Sequence, residues 1–552
     1  MNTFFWLAAC VHQDSFEIPP DHTSTYPEIP AELEESGAIT CEQPEKRAEN
    51  PLLLTNLGST WQSQPASGYT PTEGNWFGGE GVVVADWTGN GKADIFVPTL
   101  EQNLLFIQAQ DGSFTEEFQL RFPSETAQIS VGGSAADYDG DGDLDLLVLN
   151  FALPTRLYEN IGDGYFVLHE NMEFLQHDHY SPGSTWADID GDTDLDLLIL
   201  TLGEGPSGPP PWEDENNFTE AGPNQLYQNQ NGLSFSQIPL PNHTPEPNSC
   251  CASILDIDLN GYPDLYIVND FGQYVQPNQV FFSTETSPFE PSLESDLTIP
   301  MFGMGLAVGE LNGDLYPDFL ATDWGRNWLL LSDGVGGWYD ATQSQGLIAQ
   351  QEDQHVAWGT ELIDVDNDGD LDAWIGFGQL NIPTQQQDSF DNVGLYNPRY
   401  QPDALYLQDQ NGSFEDVAES WGIDRNTITR GSVWTDLNDD GFLDFLSTAI
   451  DGPVQAYLAH CDESAWLRVQ LRQKNLNTHA IGAYVEIWTG ETRQVRWLLS
   501  GTQLSSSTPP EVHFGLGDHD TIDLLRVIWP DRSVSVFQNI QTRQILTIRR
   551  SE

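Results

Sequence analysis

The sequence predicts an all-β protein in which a seven-bladed β-propeller is followed by a small β-sandwich. Three observations lead to this prediction. A nine-residue acidic loop occurs seven times, a short apolar run follows each copy, and the charge balance changes abruptly near Cys461. The 552 residues also include 49 Gly and 34 Pro, and short apolar runs bounded by such turn residues are typical of strands.

The loop with the most carboxylates runs from Asp137 to Asp145 and reads Asp-Tyr-Asp-Gly-Asp-Gly-Asp-Leu-Asp. Oxygen-bearing side chains at its positions 1, 3, 5 and 9 indicate a Ca²⁺ site, because Ca²⁺ binds about six to eight oxygen ligands. The glycines permit the positive φ angles that turn these oxygens inward. An EF-hand loop requires a bidentate Glu at position 12, where this chain has Val148. The sequence therefore predicts a Ca²⁺ loop of another kind.

All seven loops carry oxygen ligands at the same four positions, which predicts up to seven bound Ca²⁺ ions. The start-to-start spacings are 51, 51, 68, 54, 54 and 72 residues, and a unit repeated at about 50 residues indicates a propeller or a solenoid. The predicted ligands, from loop 1 to loop 7, are Asp86, Thr88, Asn90 and Asp94; Asp137, Asp139, Asp141 and Asp145; Asp188, Asp190, Asp192 and Asp196; Asp256, Asp258, Asn260 and Asp264; Glu310, Asn312, Asp314 and Asp318; Asp364, Asp366, Asp368 and Asp372; and Asp436, Asn438, Asp440 and Asp444.

The loops are unequal. Loop 1 contains only two carboxylates and has Lys92 at position 7, so we expect it to bind Ca²⁺ most weakly. Loop 5 begins with Glu310, a longer first ligand that changes the geometry there.

Each repeat predicts four short strands, which is the layout of a propeller blade. A strand of small residues leads into the loop, an apolar strand such as 146–149 leaves it, and a strand of the type Leu-Tyr-x-Asn, such as 156–160, comes next. A hairpin then leads to the outermost strand. The segment Pro51–Thr55 is predicted to supply the outer strand of the last blade, so that the ring closes without exposed edges.

The repeated acidic pattern, with the Gly-rich segments 76–79 and 301–305, resembles the FG-GAP/VCBS repeats of integrin α-chain propellers. This resemblance implies that Ca²⁺ has a structural role on one face of the ring and that ligands dock on the other face. The alternative is that a bound Ca²⁺ bridges directly to a ligand.

The last ninety or so residues resemble the ASPIC/UnbV domain, which follows FG-GAP repeats in the cartilage acidic protein family and in exported bacterial relatives. The resemblance implies no catalytic residue, and the segments that carry it are 480–488, 500–507, 512–518 and 529–531.

Two insertions, Thr201–Asn224 and Leu380–Asp403, lengthen repeats three and six. Each follows the apolar strand that leaves an acidic loop, so both should emerge on the face opposite the loops. Long loops on a rigid scaffold often carry function, and aromatic and Arg side chains are the usual binding anchors. The alternative is ordinary surface decoration. The candidate ligand-binding residues are Trp212, Phe390, Tyr396, Arg399 and Tyr400.

The N-terminal residues 1–10 end in Leu-Ala-Ala-Cys, which resembles a bacterial lipobox and predicts lipidation of Cys10. No Lys or Arg precedes this short apolar run, so an ordinary signal peptide or a chance match is the alternative. Residues 11–50 are rich in Pro, Glu, Ser and Thr and predict a disordered tether.

Four further cysteines, an even number, are compatible with two disulfides in an exported protein. Two of them are adjacent in sequence and cannot easily bond to each other, so their partners would be other cysteines. The alternative is buried thiols. These residues are Cys41, Cys250, Cys251 and Cys461.

The net charge of −66 argues against nucleic acid or an anionic membrane as a direct partner. Residues 51–460, the predicted propeller, carry most of this charge, because residues 461–552, the predicted sandwich, contain ten basic and ten acidic residues. The seven loops hold 27 carboxylates, so seven Ca²⁺ ions would offset 14 negative charges and leave most of the acidity solvated. Membrane contact is expected only through a lipid anchor at Cys10.

These observations predict an exported calcium-binding module, secreted or held at the cell surface as a lipoprotein, that binds an extracellular protein or glycan in adhesion. We expect no enzymatic activity. The alternatives are a propeller hydrolase or carbohydrate-active enzyme working in the central channel, and a matrix scaffold without a specific ligand. A Ser-His-Asp triad from Ser505–Ser507 and His513 is disfavoured, because these serines lack a Gly-x-Ser-x-Gly elbow.

Overall fold

The computed structural model describes residues 26–41, 52–54, 81–99, 102–123, 130–150, 153–169, 180–203, 222–241, 246–348, 355–378, 401–424, 426–449 and 454–551. Within these residues the strands form nine four-stranded sheets and one two-stranded sheet. No helix in the described part of the chain is long and apolar enough to cross a membrane. The first two strands are β1 (Ala31–Glu35) and β2 (Leu52–Leu54).

Seven of the four-stranded sheets are the blades of the propeller. Blade 1 contains β3 (Val83–Ala85), β4 (Asp94–Val97), β5 (Leu104–Gln108) and β6 (Phe114–Glu116). Blade 2 contains β7 (Ser130–Ala136), β8 (Asp145–Asn150), β9 (Arg156–Asn160) and β10 (Phe166–Leu168). Blade 3 contains β11 (Ser184–Ala187), β12 (Asp196–Ile199), β13 (Gln225–Asn229) and β14 (Phe235–Ile238). Blade 4 contains β15 (Asn248–Leu255), β16 (Asp264–Asp270), β17 (Gln279–Thr284) and β18 (Ser287–Ser292).

The remaining blades have the same antiparallel order. Blade 5 contains β19 (Gly305–Gly309), β20 (Asp318–Thr322), β21 (Trp328–Ser332) and β22 (Trp338–Asp340). Blade 6 contains β23 (Ala357–Ile363), β24 (Asp372–Phe377), β26 (Ala404–Gln408) and β27 (Phe414–Asp416), while the short β25 (Gln401–Pro402) pairs with β28 (Asn426–Thr427). Blade 7 contains β29 (Thr429–Thr435), β30 (Asp444–Ala449), β31 (Gln455–Ala459) and the distant β2. Two single-turn helices, α1 (Phe118–Arg121) and α2 (Ala418–Trp421), follow β6 and β27.

The ring closes as the sequence predicted. Strand β2 pairs antiparallel with β31, with Leu53 opposite Leu458, so the last blade takes its outer strand from the N-terminal side of the chain. Apolar side chains of blades 1 and 7, including Val84 and Val433, pack in one buried cluster. First strands of neighbouring blades contact one another around the ring, which places them at its axis.

The C-terminal unit is a two-sheet sandwich, as predicted. Its strands are β32 (Ala465–Arg472), β33 (Tyr484–Thr489), β34 (Thr492–Trp497), β35 (Val512–Gly517), β36 (Thr521–Ile528), β37 (Val534–Gln541) and β38 (Gln544–Arg550). One sheet has the order β1-β38-β32-β35 and the other β34-β33-β36-β37. Side chains from both sheets, such as Val469, Val485 and Phe514, form a buried core between them.

The prediction of a disordered tether over residues 11–50 is wrong for part of that segment. Strand β1 pairs with β38 in register Leu33↔Ile548, and Cys41 forms a disulfide with Cys461. Composition predicted disorder because the segment has few large apolar residues, yet an edge strand needs only a free sheet edge for its backbone hydrogen bonds. Residues 11–25 and 42–50 lie outside the described residues.

Of the two alternatives for the vicinal cysteines, a second disulfide or buried thiols, the structure shows buried thiols. Cys250 and Cys251 are free, buried thiols on β15. They pack in an apolar cluster that extends from blade 2 to blade 6, so they serve the core as small apolar side chains.

Candidate metal centres

The seven acidic loops lie at equivalent places in the ring. Each loop connects the first strand of a blade to the second, and the Asp at position 9 is the first residue of the second strand in every blade, as in β8 and β24. Because all first strands run in the same sense along the axis, the seven loops share one face of the propeller, which we call the loop face. The predicted register of the repeats is therefore confirmed.

The Asp at position 9, which begins the second strand, bonds to the loop and to the third strand. In loop 2 the backbone N–H of Asn160 donates to Oδ1 of Asp145 (2.8 Å) and that of Tyr138 donates to Oδ2 (3.0 Å). The same pair of bonds recurs in all seven blades at Asp94, Asp145, Asp196, Asp264, Asp318, Asp372 and Asp444. This Asp therefore has a structural role that does not depend on a metal ion.

Four loops bring three carboxylates together at positions 1, 3 and 9. In loops 2, 3, 4 and 6 one oxygen from each of these residues lies within 4.8 Å of the others. The four triads are Asp137, Asp139 and Asp145; Asp188, Asp190 and Asp196; Asp256, Asp258 and Asp264; and Asp364, Asp366 and Asp372. The position-5 carboxylates of loops 2, 3 and 6, which are Asp141, Asp192 and Asp368, lie outside these triads. Among the described loops, loops 1, 5 and 7 form no such triad.

Burial raises the pKa values of these carboxyl groups. Burial and neighbouring carboxylates together raise the pKa of Asp139 to about 6. Burial is likewise the largest cause at Asp137, whose pKa rises to about 7, and at Asp196 and Asp264, where it rises to about 8. Removing a carboxylate from water disfavours its charged form, and a nearby cation restores it.

The residues present fit a hard divalent cation. All donors in the triads are carboxylate oxygens, which suit Ca²⁺ better than soft metals. In loop 6, Oδ1 of Asp364 is buried and has no hydrogen-bond partner among the described residues, so it is free to bind an ion. A bound cation would neutralise the triad, and the loop's own glycines and backbone amides hold the carboxylates in place.

Side chains at the end of the third strands join neighbouring blades at these loops. Asn160 Nδ2 donates to the carbonyl of Trp87 in loop 1 (2.9 Å), and Asn229 Nδ2 donates to that of Tyr138 in loop 2 (2.8 Å). This explains the Asn of the Leu-Tyr-x-Asn repeat, which the sequence indicated only as a strand motif.

The sandwich covers part of the loop face. It donates hydrogen bonds to the Asp at position 1 of loops 2, 6 and 7. Thr478 donates its hydroxyl to Oδ2 of Asp137, and the N–H of Gly515 donates to Oδ2 of Asp364 (3.0 Å). Arg468 Nη1 donates to Oδ2 of Asp436 (3.0 Å). The sequence analysis missed these sandwich residues, and the one available signal was the high proportion of basic residues in this otherwise acidic chain.

A loop of the sandwich, residues 499–508, fills the centre of the ring. The N–H of Ser505 donates to the carbonyl of Pro182 in blade 3 (2.9 Å), and its own carbonyl accepts from Gly133 in blade 2 (3.3 Å). Ser507 exchanges backbone hydrogen bonds with Val82 and Val84 of blade 1 (3.1 and 3.0 Å). We call this segment the plug.

The serines of the plug and His513 do not form a catalytic triad. Ser505 Oγ donates to the carbonyl of Pro182 (2.9 Å), and Ser506 Oγ accepts from the N–H of Val82 (3.2 Å). His513 Nε2 lies 3.1 Å from the carbonyl oxygen of Gly441.

A cavity of about 170 Å³ lies beside the plug, between the sandwich and blades 5 to 7. Its lining includes Glu361, which accepts hydrogen bonds from Ser432 Oγ (3.0 Å) and the N–H of Trp434 (3.2 Å). Burial raises the pKa of Glu361 to about 8, so its carboxyl group is mostly protonated at neutral pH.

The other predicted site residues lie outside the described residues. They are Cys10 and the candidate ligand-binding residues Trp212, Phe390, Tyr396, Arg399 and Tyr400. The insertions that contain the last five connect the second strand to the third in blades 3 and 6, and second strands run away from the loop face.

Comparison with known proteins confirms the two resemblances on which the sequence analysis relied. The FG-GAP-like repeat model matches residues 86–148 and 137–199, and the model described as ASPIC and UnbV matches residues 473–552. Cartilage acidic protein 1 of Xenopus tropicalis is 23% identical over 528 residues, which cover 80% of this chain and 79% of that protein.

Solved structures similar to this chain include two proteins that share little sequence with it. One is an Agrocybe aegerita lectin that recognises non-reducing terminal N-acetylglucosamine, with 16% identity and a TM-score of 0.40 over 68% of this chain and 93% of that one. The other is BBS1N in complex with ARL6DN, with 7% identity and a TM-score of 0.40 over 75% and 98% of the two chains.

Proposed function

We propose that this chain is an exported calcium-binding β-propeller that binds an extracellular protein or glycan through the face opposite its acidic loops. The observation that carries the proposal is the set of four carboxylate triads on one face of the ring. Buried carboxylates in such triads favour a bound cation because the ion restores their charged form. Calcium would then stabilise the blades, since an ion that binds the folded loops adds to folding stability.

The arrangement of the sandwich supports the choice of the opposite face. The sandwich contacts loops 2, 6 and 7 and so occupies part of the loop face. Both long insertions begin at strands that run to the other face, where loops on a rigid scaffold are well placed for binding.

The plug disfavours the alternative of an enzyme that works in the central channel, because residues 505–507 are bonded to the inner strands there. We therefore propose a binding protein without enzymatic activity.

The disulfide between Cys41 and Cys461 supports export, because such bonds persist mainly in oxidising compartments. The name of the Xenopus tropicalis relative refers to cartilage, a tissue with an extracellular matrix. Anchoring through Cys10 remains part of the proposal.

Two measurements test the proposed function. Metal analysis and calorimetric titration of the full chain should detect bound Ca²⁺, and a complete lack of Ca²⁺ binding would refute the calcium assignment. Arrays of glycans and matrix proteins should give specific binding that Trp212→Ala with Arg399→Ala weakens. Turnover on a broad hydrolase panel, with no hits on the arrays, would favour the enzyme alternative.

A further inference from the structure

Loop 7 differs from loop 2 in that its carboxylates contact a cation. In loop 2, none of the five carboxylates forms an ion pair with Lys or Arg among the described residues. In loop 7, Arg468 of β32 donates from Nη1 to Oδ2 of Asp436 (3.0 Å) and from Nη2 to Oδ1 of Asp439 (2.6 Å). Lys92 of loop 1 pairs with the same Asp439.

This arginine is buried at the junction of the two domains. Its side chain is 5% exposed and that of Asp436 is 0% exposed, and its Nε lies 3.4 Å from Oε2 of Glu511. A buried guanidinium with three carboxylate neighbours is strongly held, since its desolvation is offset by charge-assisted hydrogen bonds. Arginine suits this place because its donors form a rigid planar fork.

The side chains of loop 7 also pair among themselves. Position 3 is Asn438, and its Nδ2 donates to Oδ2 of Asp440 (3.1 Å), so the loop lacks the third carboxylate that loops 2, 3, 4 and 6 place there. The backbone nonetheless follows the same turn. Gly441 N–H donates to Oδ2 of Asp436 (2.9 Å), as Gly142 N–H does to Asp137 (2.9 Å).

We propose that the guanidinium of Arg468, rather than a metal ion, neutralises the carboxylates of Asp436 and Asp439 in loop 7, so that the sandwich supplies the cation for this blade. The inference rests on the proposed calcium binding of the other loops and leaves at most six of the predicted seven sites to Ca²⁺. Loop 7 then keeps its structure without Ca²⁺, whereas the triad loops do not. The contact also fastens the sandwich to the ring in a manner independent of calcium.

The test is amide hydrogen exchange of the full chain, measured by mass spectrometry in Ca²⁺ and then in excess EGTA. It distinguishes a loop that needs Ca²⁺ from one that does not. Chelation should speed exchange in peptides covering 137–145 by about tenfold or more, because uncompensated carboxylates open the loop, and should leave 436–444 within about twofold. Arg468→Gln should speed exchange in 436–444 even in Ca²⁺. The matched control is Arg543→Gln, which removes a sandwich arginine that pairs with Asp520 and should leave 436–444 unchanged.

The outcomes distinguish this inference from the proposed function. Equal acceleration of both loops on chelation, or an Arg468→Gln variant with unchanged exchange in loop 7, overturns the inference while calcium binding stands. An unchanged loop 2, together with a chain that binds no Ca²⁺, refutes calcium binding and the inference with it.

Discussion

If the plug fills the channel in solution, a single methyl group added at Gly132 should destabilise the protein. Gly132 lies on β7, and a Cβ there would lie 2.5 Å from the carbonyl oxygen of Ser505 and 2.6 Å from its Cβ. Ordinary contacts need about 3.4 Å or more, so the plug would have to shift by roughly 0.8 Å. Such overpacking costs about 1–3 kcal/mol.

The same substitution restricts the unfolded chain, which contributes about 0.4–1 kcal/mol of stability in the opposite direction. Gly132→Ala should therefore destabilise by about 1–2 kcal/mol. Its Tm in differential scanning calorimetry should fall by about 1–2 °C, because an unfolding entropy of about 2.1 cal/mol/K per residue is large for a chain of 552 residues. A control is Ser505→Gly, which removes the Cβ and suits the positive φ of 55° at this residue.

In the double variant the loss caused by Gly132→Ala should be smaller than in the wild-type background, since part of the clash is gone. A Gly132→Ala protein as stable as the wild type would show that the plug does not press on β7. Additive stability changes of Gly132→Ala and Ser505→Gly in the double variant would show the same. The channel would then be open to ligands.

Three other groups give predictions that do not involve Gly132. The pKa of Glu361 is raised from 4.5 to about 8 in the folded protein. The free energy of unfolding should therefore fall as pH rises from about 4.5 to about 8, by at most about 5 kcal/mol. Glu361→Gln should flatten the profile of Tm against pH in this range. Loss of the Cys41–Cys461 disulfide, whose residues are 420 apart, should cost about 2–4 kcal/mol, and an unchanged Tm in Cys41→Ser would contradict this. Cys250 and Cys251 are buried, and burial raises the pKa of Cys251 to about 12, so a thiol reagent should detect both only after unfolding.

The sequence predicted the ring well because its signals are local and repeated. An Asp that begins each second strand fixes the register of every blade, and the Leu-rich segment 52–54 pairs as predicted with β31. These features need only a turn geometry and an alternation of small, acidic and apolar residues. The predicted four-position ligand set stays a prediction, and the structure brings the carboxylates of positions 1, 3 and 9 together in four of the seven loops.

Contacts between distant parts of the chain could not be predicted in this way. Strand β1 finds a partner more than 500 residues away, and a segment rich in Pro and Glu gives no sign of such pairing. The sequence of the plug is typical of a polar surface turn, yet Ser505, Ser506 and Ser507 are all buried. Their burial is tolerated because the inner strands of the blades form hydrogen bonds with the plug's backbone groups. The role of Arg468 depends on how the sandwich docks, which no local pattern encodes.

Positions 9 and 3 of these loops have different roles, one in the turn of the blade and the other in the carboxylate triad. Position 9 is Asp in all seven loops, and in each it accepts a backbone N–H from the loop and another from the third strand. Position 3 is Asp in the four triad loops but Thr88, Asn312 and Asn438 in the other three. If position 9 served only an ion, loops without a triad would have no need of it. The blade turn therefore depends on position 9 whether or not an ion binds, and position 3 decides whether a third carboxylate lies beside those of positions 1 and 9.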